Sequence, residues 1–160
     1  MLATALMKAG SLAKAGVLYD HGEEFVHFEP VLTGSGSRTA EKRSDHLYMS
    51  ASNSFGQASA GFTTTSADPI DLTDVIEIEI DWENIGFSNP NNRSELQVVD
   101  LVTNSIERNL LRTNSFSRQV QVLDVSDVVG EWRVRVRASD TQTNASAGAA
   151  VSAFRIELLT

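Results

Sequence analysis

From Val17 onward the chain alternates apolar and polar residues with a period of two, the pattern of strands that bury one face. The clearest run is Val75–Glu83 (VIEIEIDWE), where Ile76, Ile78, Ile80 and Trp82 share one face and Glu77, Glu79, Asp81 and Glu83 the other. A second is Trp132–Ala138 (WRVRVRA), with Trp132, Val134, Val136 and Ala138 alternating against Arg133, Arg135 and Arg137. Were the two strands neighbours in one sheet, acids would oppose arginines, each pair adding roughly 0.2–1 kcal/mol and marking the register. The alternative is that each charged row is simply a solvated face.

Shorter runs continue the pattern. Val17–Asp20 and Glu24–Phe28 flank Asp20-His21-Gly22-Glu23, a hairpin whose glycine can take a positive φ. His46–Ala51, Ala60–Thr65, Glu95–Val102, Arg118–Val125 and Ser152–Leu159 read as further strands, the last with Phe154, Ile156 and Leu158 facing the core. Polar segments rich in Gly, Ser, Asn and Thr separate them at 33–39, 50–59, 88–94 and 141–148. Roughly eight to ten strands at this spacing, with no convincing helix after residue 16, predict an all-β fold, an antiparallel, jelly-roll-like β-sandwich. Residues 1–16 fit no strand; they predict a short N-terminal arm or helix, with the sandwich domain spanning 17–160. An isolated helix of that length is marginal in water.

Charge narrows the partners. A net charge of −8 and a pI near 4.8 repel phosphate, which argues against nucleic acid. The absence of cysteine removes disulfides, thiolate metal sites and cysteine nucleophiles. No apolar stretch approaches the roughly 20 residues that span a bilayer, so no membrane partner is expected. Residues 1–16 lack the basic start of a secretory signal, and Lys8 and Lys14 interrupt their apolar part.

Candidate chemistry is sparse. His21, His27 and His46 have no metal-ligand spacing, and no glycine loop completes a nucleotide fingerprint, so neither metal nor cofactor is expected. The acids of 75–83 share one polar face rather than flanking a cleft, as a glycosidase pair would. Asp68, Asp71 and Asp74 precede a strand, where they supply turn chemistry or, less simply, oxygen ligands for calcium. The expectation is therefore a non-enzymatic protein. Phe55 and Phe87 fall in polar loops and are the candidate glycan contacts, with Tyr48 a further aromatic that could be exposed. Trp82 and Trp132 align with core positions. Asn92-Arg93-Ser94 and Asn144-Ala145-Ser146 match the glycosylation sequon.

Three stretches together carry a family likeness: Leu18–Phe25 (LYDHGEEF), Pro69–Thr73 with the following strand to Asn84, and Arg112–Arg118 continuing through Leu123–Ser126 to Gly130–Val136. Their order resembles jelly-roll modules in structural proteins of tailed phages and prophages, across roughly residues 17–159. That resemblance implies a virion component: a capsid decoration, head-fibre or tail accessory subunit, homo-oligomeric and bound to other capsid or tail proteins. The N-terminal arm would then be the anchor, through Leu2, Leu6, Met7 and Leu12. The same layout also resembles carbohydrate-binding modules, which would imply a cell-surface glycan of the host as partner.

Overall fold

The computed structural model describes residues 16–21, 23–24, 28–53, 56–86, 92–112, 117–141 and 148–160. These form β1 (Gly16–Asp20), β2 (Glu23–Glu24), β3 (Phe28–Gly34), β4 (Ser37–Lys42), β5 (Leu47–Ser52), β6 (Ala58–Thr64) and β7 (Ile70–Asp71). They continue as β8 (Glu77–Gly86), β9 (Asn92–Val99), β10 (Ile106–Arg112), β11 (Gln119–Asp124), β12 (Glu131–Asp140) and β13 (Ala149–Leu159). Among the described residues no helix is long and apolar enough to cross a membrane.

Two antiparallel sheets make the expected sandwich. In the first, β13 is the hub: β8 and then β11 lie on one side, while β1 with β2 and β5 with β4 divide its other edge. The second runs β10-β9-β12-β6-β3, with β7 capping the start of β12. Parity does the folding. Ile78, Ile80 and Trp82 of β8 and Val134, Val136 and Ala138 of β12 are fully buried, and each strand turns its apolar side toward the other sheet. At about 25 cal/mol per Å² of apolar surface, each such large side chain contributes roughly 1.5–3 kcal/mol. Pro30 sits on β3, an edge strand, the place in a sheet where a residue without an N–H is tolerated and discourages pairing with another chain.

Several expectations are corrected. The acid row and the arginine row are not neighbours: β8 belongs to the first sheet and β12 to the second. Strands that bury their apolar faces against each other across a sandwich must point their polar faces in opposite directions, so the two rows form opposite outer surfaces. Ile76 is 47% exposed and Val75 takes the inward position, because the turn closed by Val75 N–H on the Leu72 carbonyl (3.1 Å) resets the parity before β8 begins. Phe154 is only partly buried; a bulge between Ala153 and Arg155 lifts it out of the core-facing series that Ile156 and Leu158 keep. The segment 33–39 is largely strand, not a loop: β3 runs to Gly34 and β4 starts at Ser37, and Gly34 and Gly36, at φ 79° and 98°, turn the chain from the second sheet to the first. A Cβ on Gly34 would stand 1.9 Å from the Gln57 carbonyl oxygen, so only glycine fits there. The first hairpin forms where expected, but the positive φ (42°) falls on His21 and the described return strand is Glu23–Glu24, with Gly22 and 25–27 outside the described residues. Gly16 already pairs with Leu158, one residue before the expected start of the sandwich.

Tight Asx turns close the end of the molecule where β9 joins β10 and β11 joins β12. Asp71 accepts from the Thr73 N–H (2.9 Å) and hydroxyl (2.6 Å), the turn chemistry expected for that acidic segment. Asp100 accepts from the Thr103 N–H (2.7 Å), the Thr103 hydroxyl (2.8 Å) and the Val102 N–H (3.0 Å). Those bonds, the backbone one from Thr103 first, hold its carboxyl below the usual carboxylate range. A depressed folded-state value contributes stability that is whole above the unfolded value of about 3.9 and fades as pH falls through the folded one. Asp100→Asn, which keeps the turn's acceptor but cannot titrate, should therefore lose less stability than the wild type between pH 6 and pH 3. Denaturant unfolding at both pH values checks this, and parallel losses would refute it.

Candidate functional site

The outer face of the second sheet is built by alternate residues of five strands. Glu29, Val31 and Thr33 come from β3, and Ser59, Gly61 and Thr63 from β6. Arg133, Arg135, Arg137 and Ser139 come from β12, Glu95 and Gln97 from β9, and Asn109 and Leu111 from β10. At one end this face sinks into a cleft of about 460 Å³, with Thr33, Ser59, Glu95, Arg137 and Ser139 across it and Gly34, Gln57, Arg93, Asp140 and Thr141 among its borders. Gly61 keeps the floor low beside it: a Cβ there would lie 2.5 Å from the Arg137 Cβ and 2.3 Å from the Val136 carbonyl oxygen.

The polar groups of the cleft hold one another in place. Glu95, 3% exposed, is the centre: its Oε2 accepts from the Arg137 Nε and, at 2.7 Å, from the Ser139 hydroxyl. Register explains the contact, since β12 and β9 set Arg137 directly opposite Glu95. On the neighbouring pair, Arg135 Nε donates to the Gln97 Oε1 at 2.7 Å. Across β6 and β3 the Thr33 and Ser59 hydroxyls share a 2.5 Å hydrogen bond. Asp140 is fully buried and accepts the Asn53 N–H at 3.0 Å, tying the loop after β5 to the cleft. Burial, and after it the adjacent Arg137, push the Arg135 guanidinium down to about 10, which leaves it charged at neutral pH.

Chemically, the cleft is an array of fixed donors and acceptors. Its two carboxylates, Glu95 and Asp140, are both committed to internal partners. No group of three or more His, Cys, Asp or Glu able to hold a metal ion occurs among the described residues.

In fold, the chain is similar to carbohydrate-binding modules of family 29. An arginine-to-alanine mutant of such a module, made to probe ligand recognition, superposes with a TM-score of 0.62 at 12% identity, over 91% of each chain. A lysine-to-alanine mutant complexed with cellulohexaose gives 0.61 at 11% identity, over 90% of this chain and 89% of that one. The glycoside hydrolase domain structure of Endo-D from Streptococcus pneumoniae matches with 0.56 at 11% identity, over 82% of this chain and 21% of that one. No protein-family model and no curated protein matches the sequence. The likeness is one of fold.

These neighbours overturn the resemblance to phage structural proteins. The order of strand and turn signatures that carried it belongs to the jelly roll, which serves many unrelated functions, so it could not specify a virion. The virion location and the capsid or tail partners fall with it, and the comparisons lend no support to the homo-oligomer. The anchor positions Leu2, Leu6, Met7 and Leu12 lie outside the described residues, as do the glycan candidates Phe55 and Phe87. Tyr48 is half-buried beneath the Arg43 guanidinium (3.7 Å) on a strand of the first sheet, away from the cleft. Trp82 is a core residue, and Trp132 packs against the core. Asn92, the first sequon asparagine, is buried and donates to the Gly148 carbonyl at 2.8 Å, so that sequon is not open to glycosylation.

Sequence reasoning missed Glu95, Arg137, Ser139, Thr33 and Ser59 as a set. The parity of Glu95 and Gln97 was readable in the strand, but the pairing of that strand with the arginine row was not.

Proposed function

We propose that the chain is a non-catalytic carbohydrate-binding module whose glycan lies in the cleft and along the adjoining outer face of the second sheet. The observation that carries this reading is the cleft itself. Hydroxyl, carboxylate and guanidinium groups from four strands stand on one face, prearranged by mutual hydrogen bonds, as recognition of sugar hydroxyls requires. The fold neighbours, among them a module complexed with cellulohexaose, support it. The commitment of Glu95 to Arg137 and Ser139, and of Asp140 to a buried backbone N–H, supports binding over hydrolysis, which needs one acid and one base free to exchange protons. Phe55 and Phe87 remain proposed aromatic contacts for the glycan.

A glycan array of neutral and acidic oligosaccharides tests the reading, with titration calorimetry on the hits. Thr33→Trp, at an exposed edge-strand position, should fill the cleft and weaken binding on the order of tenfold or more with the unfolding midpoint little changed. Phe87→Ala and Phe55→Ala should each weaken it by a smaller factor. A wild-type protein that retains no glycan on the array overturns the proposal.

A further inference from the structure

The two outer faces of the sandwich carry opposite charge. The acids Glu77, Glu79, Asp81 and Glu83 of β8, with Glu157 beside Glu79 on β13, lie on the first sheet, where Arg118 and Arg155 answer only part of them. The second sheet turns Arg133, Arg135 and Arg137 outward, with Arg93 opposite Ser139 at the cleft border. In a chain of net charge −8, the face that holds the cleft is therefore its cationic side.

The arginines of the molecule differ in their partners. Arg43, Arg108 and Arg118 each rest on a carboxylate, whereas Arg38 and Arg112 donate to backbone carbonyls. Within the cleft face, Arg137 has Glu95, and Arg133 is pinned by the Asp100 carbonyl (2.9 Å) and Asn104. Arg135 has only the Gln97 amide oxygen, through Nε, among the described residues, and Arg93 has no hydrogen bond or ion pair among them. Among the described residues neither forms an ion pair, though the Glu95 charge, already paired with Arg137, acts on Arg135 from nearby. Beside Arg135, the buried Gln97 amide nitrogen also lacks an acceptor. The buried Gln97 donor is costly to leave without an acceptor, and the guanidinium nitrogens of Arg135 beyond Nε stand open beside it to a ligand on the face.

We infer that the cleft face binds an acidic polysaccharide, whose uronate carboxylates or sulfate esters dock on Arg135 and Arg93. This rests on the glycan-binding reading and names its ligand class. A sugar hydroxyl could accept these hydrogen bonds but would leave the charge unanswered. An anionic oxygen pair matches the planar fork of a guanidinium and offsets the repulsion among Arg133, Arg135 and Arg137. Alternate residues of a strand recur roughly every 6.5–7 Å, so the row presents repeated charges, which suits a polymer better than a single ion. Burial and the flanking arginines already depress the Arg135 proton affinity, and an anion at that place would restore it.

The test compares affinities of the wild-type protein, at low and moderate salt, for galactomannan, polygalacturonate, a sulfated galactan and single-stranded DNA. Polygalacturonate or the sulfated galactan should bind on the order of tenfold or more tightly than galactomannan, and whichever does identifies the anionic group. Arg93→Gln at the cleft border and Arg135→Gln should each remove most of that preference, weakening the acidic polymer by a clearly larger factor than galactomannan; equal losses for both ligands would overturn the inference. Arg135→Lys, which keeps the charge without the fork, should retain part of it. Galactomannan bound at least as tightly as both acidic polymers overturns the inference and leaves the glycan-binding reading standing. No binding to any of the polysaccharides overturns that reading itself. DNA bound as tightly as the acidic polysaccharide also overturns the inference, assigning the face to polyanions at large.

Discussion

Replacing Glu95 by alanine is expected to lower the unfolding free energy by about 3 kcal/mol and to abolish binding at the cleft. Its carboxylate is 3% exposed and carries two charge-assisted bonds, from Arg137 and Ser139. Its loss leaves a guanidinium and a hydroxyl without their acceptor. Breaking a fully buried pair costs about 3–5 kcal/mol. The Arg137 side chain is 23% exposed, so water can solvate part of what is left, which places the effect at the low end of that range. Pairing the change with Arg137→Met removes the stranded charge, and the double variant should recover much of the stability and none of the binding. Denaturant titration and calorimetry separate the two readouts. A single variant within about 1 kcal/mol of wild type would show that the pair is too wet to organise the cleft.

The largest loss of stability is expected at Trp82. Its side chain is fully buried at the centre of the core, its indole N–H donates to Gln121 at 2.9 Å, and its backbone carbonyl accepts from the buried Arg112 at 3.0 Å. Trp82→Ala opens a cavity that the surrounding strands cannot close, and should cost about 3–5 kcal/mol. For a domain of this size that corresponds to a fall of roughly 10 °C or more in Tm. Trp82→Phe keeps most of the packing and loses the hydrogen bond to Gln121, so its cost should be nearer about 1–2 kcal/mol. Trp132 remains in both variants as the fluorescent reporter of unfolding. Equal effects of the two substitutions would mean that the hydrogen bond, not the packed volume, dominates at this position.

Where one face of a strand is wet and the other dry, alternation is forced, and it is visible without coordinates. That is why β8, β12 and β13 were readable in outline and why Trp82 was placed in the core. The strands that escaped notice do not obey that rule. β3 (FEPVLTG) and β10 (IERNLLR) are edge strands with much exposed surface, and β4 (SRTAEK) is a polar strand at the margin of the first sheet. Two local irregularities also defeated parity: the turn before Glu77, which exposes Ile76, and the bulge that turns Phe154 aside. Each inserts or resets one residue, and with a period of two one residue is enough to reverse a face.

Local alternation thus fixes which side of a strand is wet, and the count of such strands fixes a sandwich. Composition adds that no cysteine chemistry is available. Alternation is silent on which strand lies beside which, because pairing depends on the path of the chain through space. The rows Glu77–Glu83 and Arg133–Arg137 invite each other by charge, yet the common core between their apolar faces drives them to opposite surfaces. Burial of those faces contributes several kcal/mol, against a few tenths for an exposed cross-strand ion pair, so the core decides. Only in the folded sandwich do Glu95, Arg137, Ser139, Ser59 and Thr33, spread over more than a hundred positions, become one cleft.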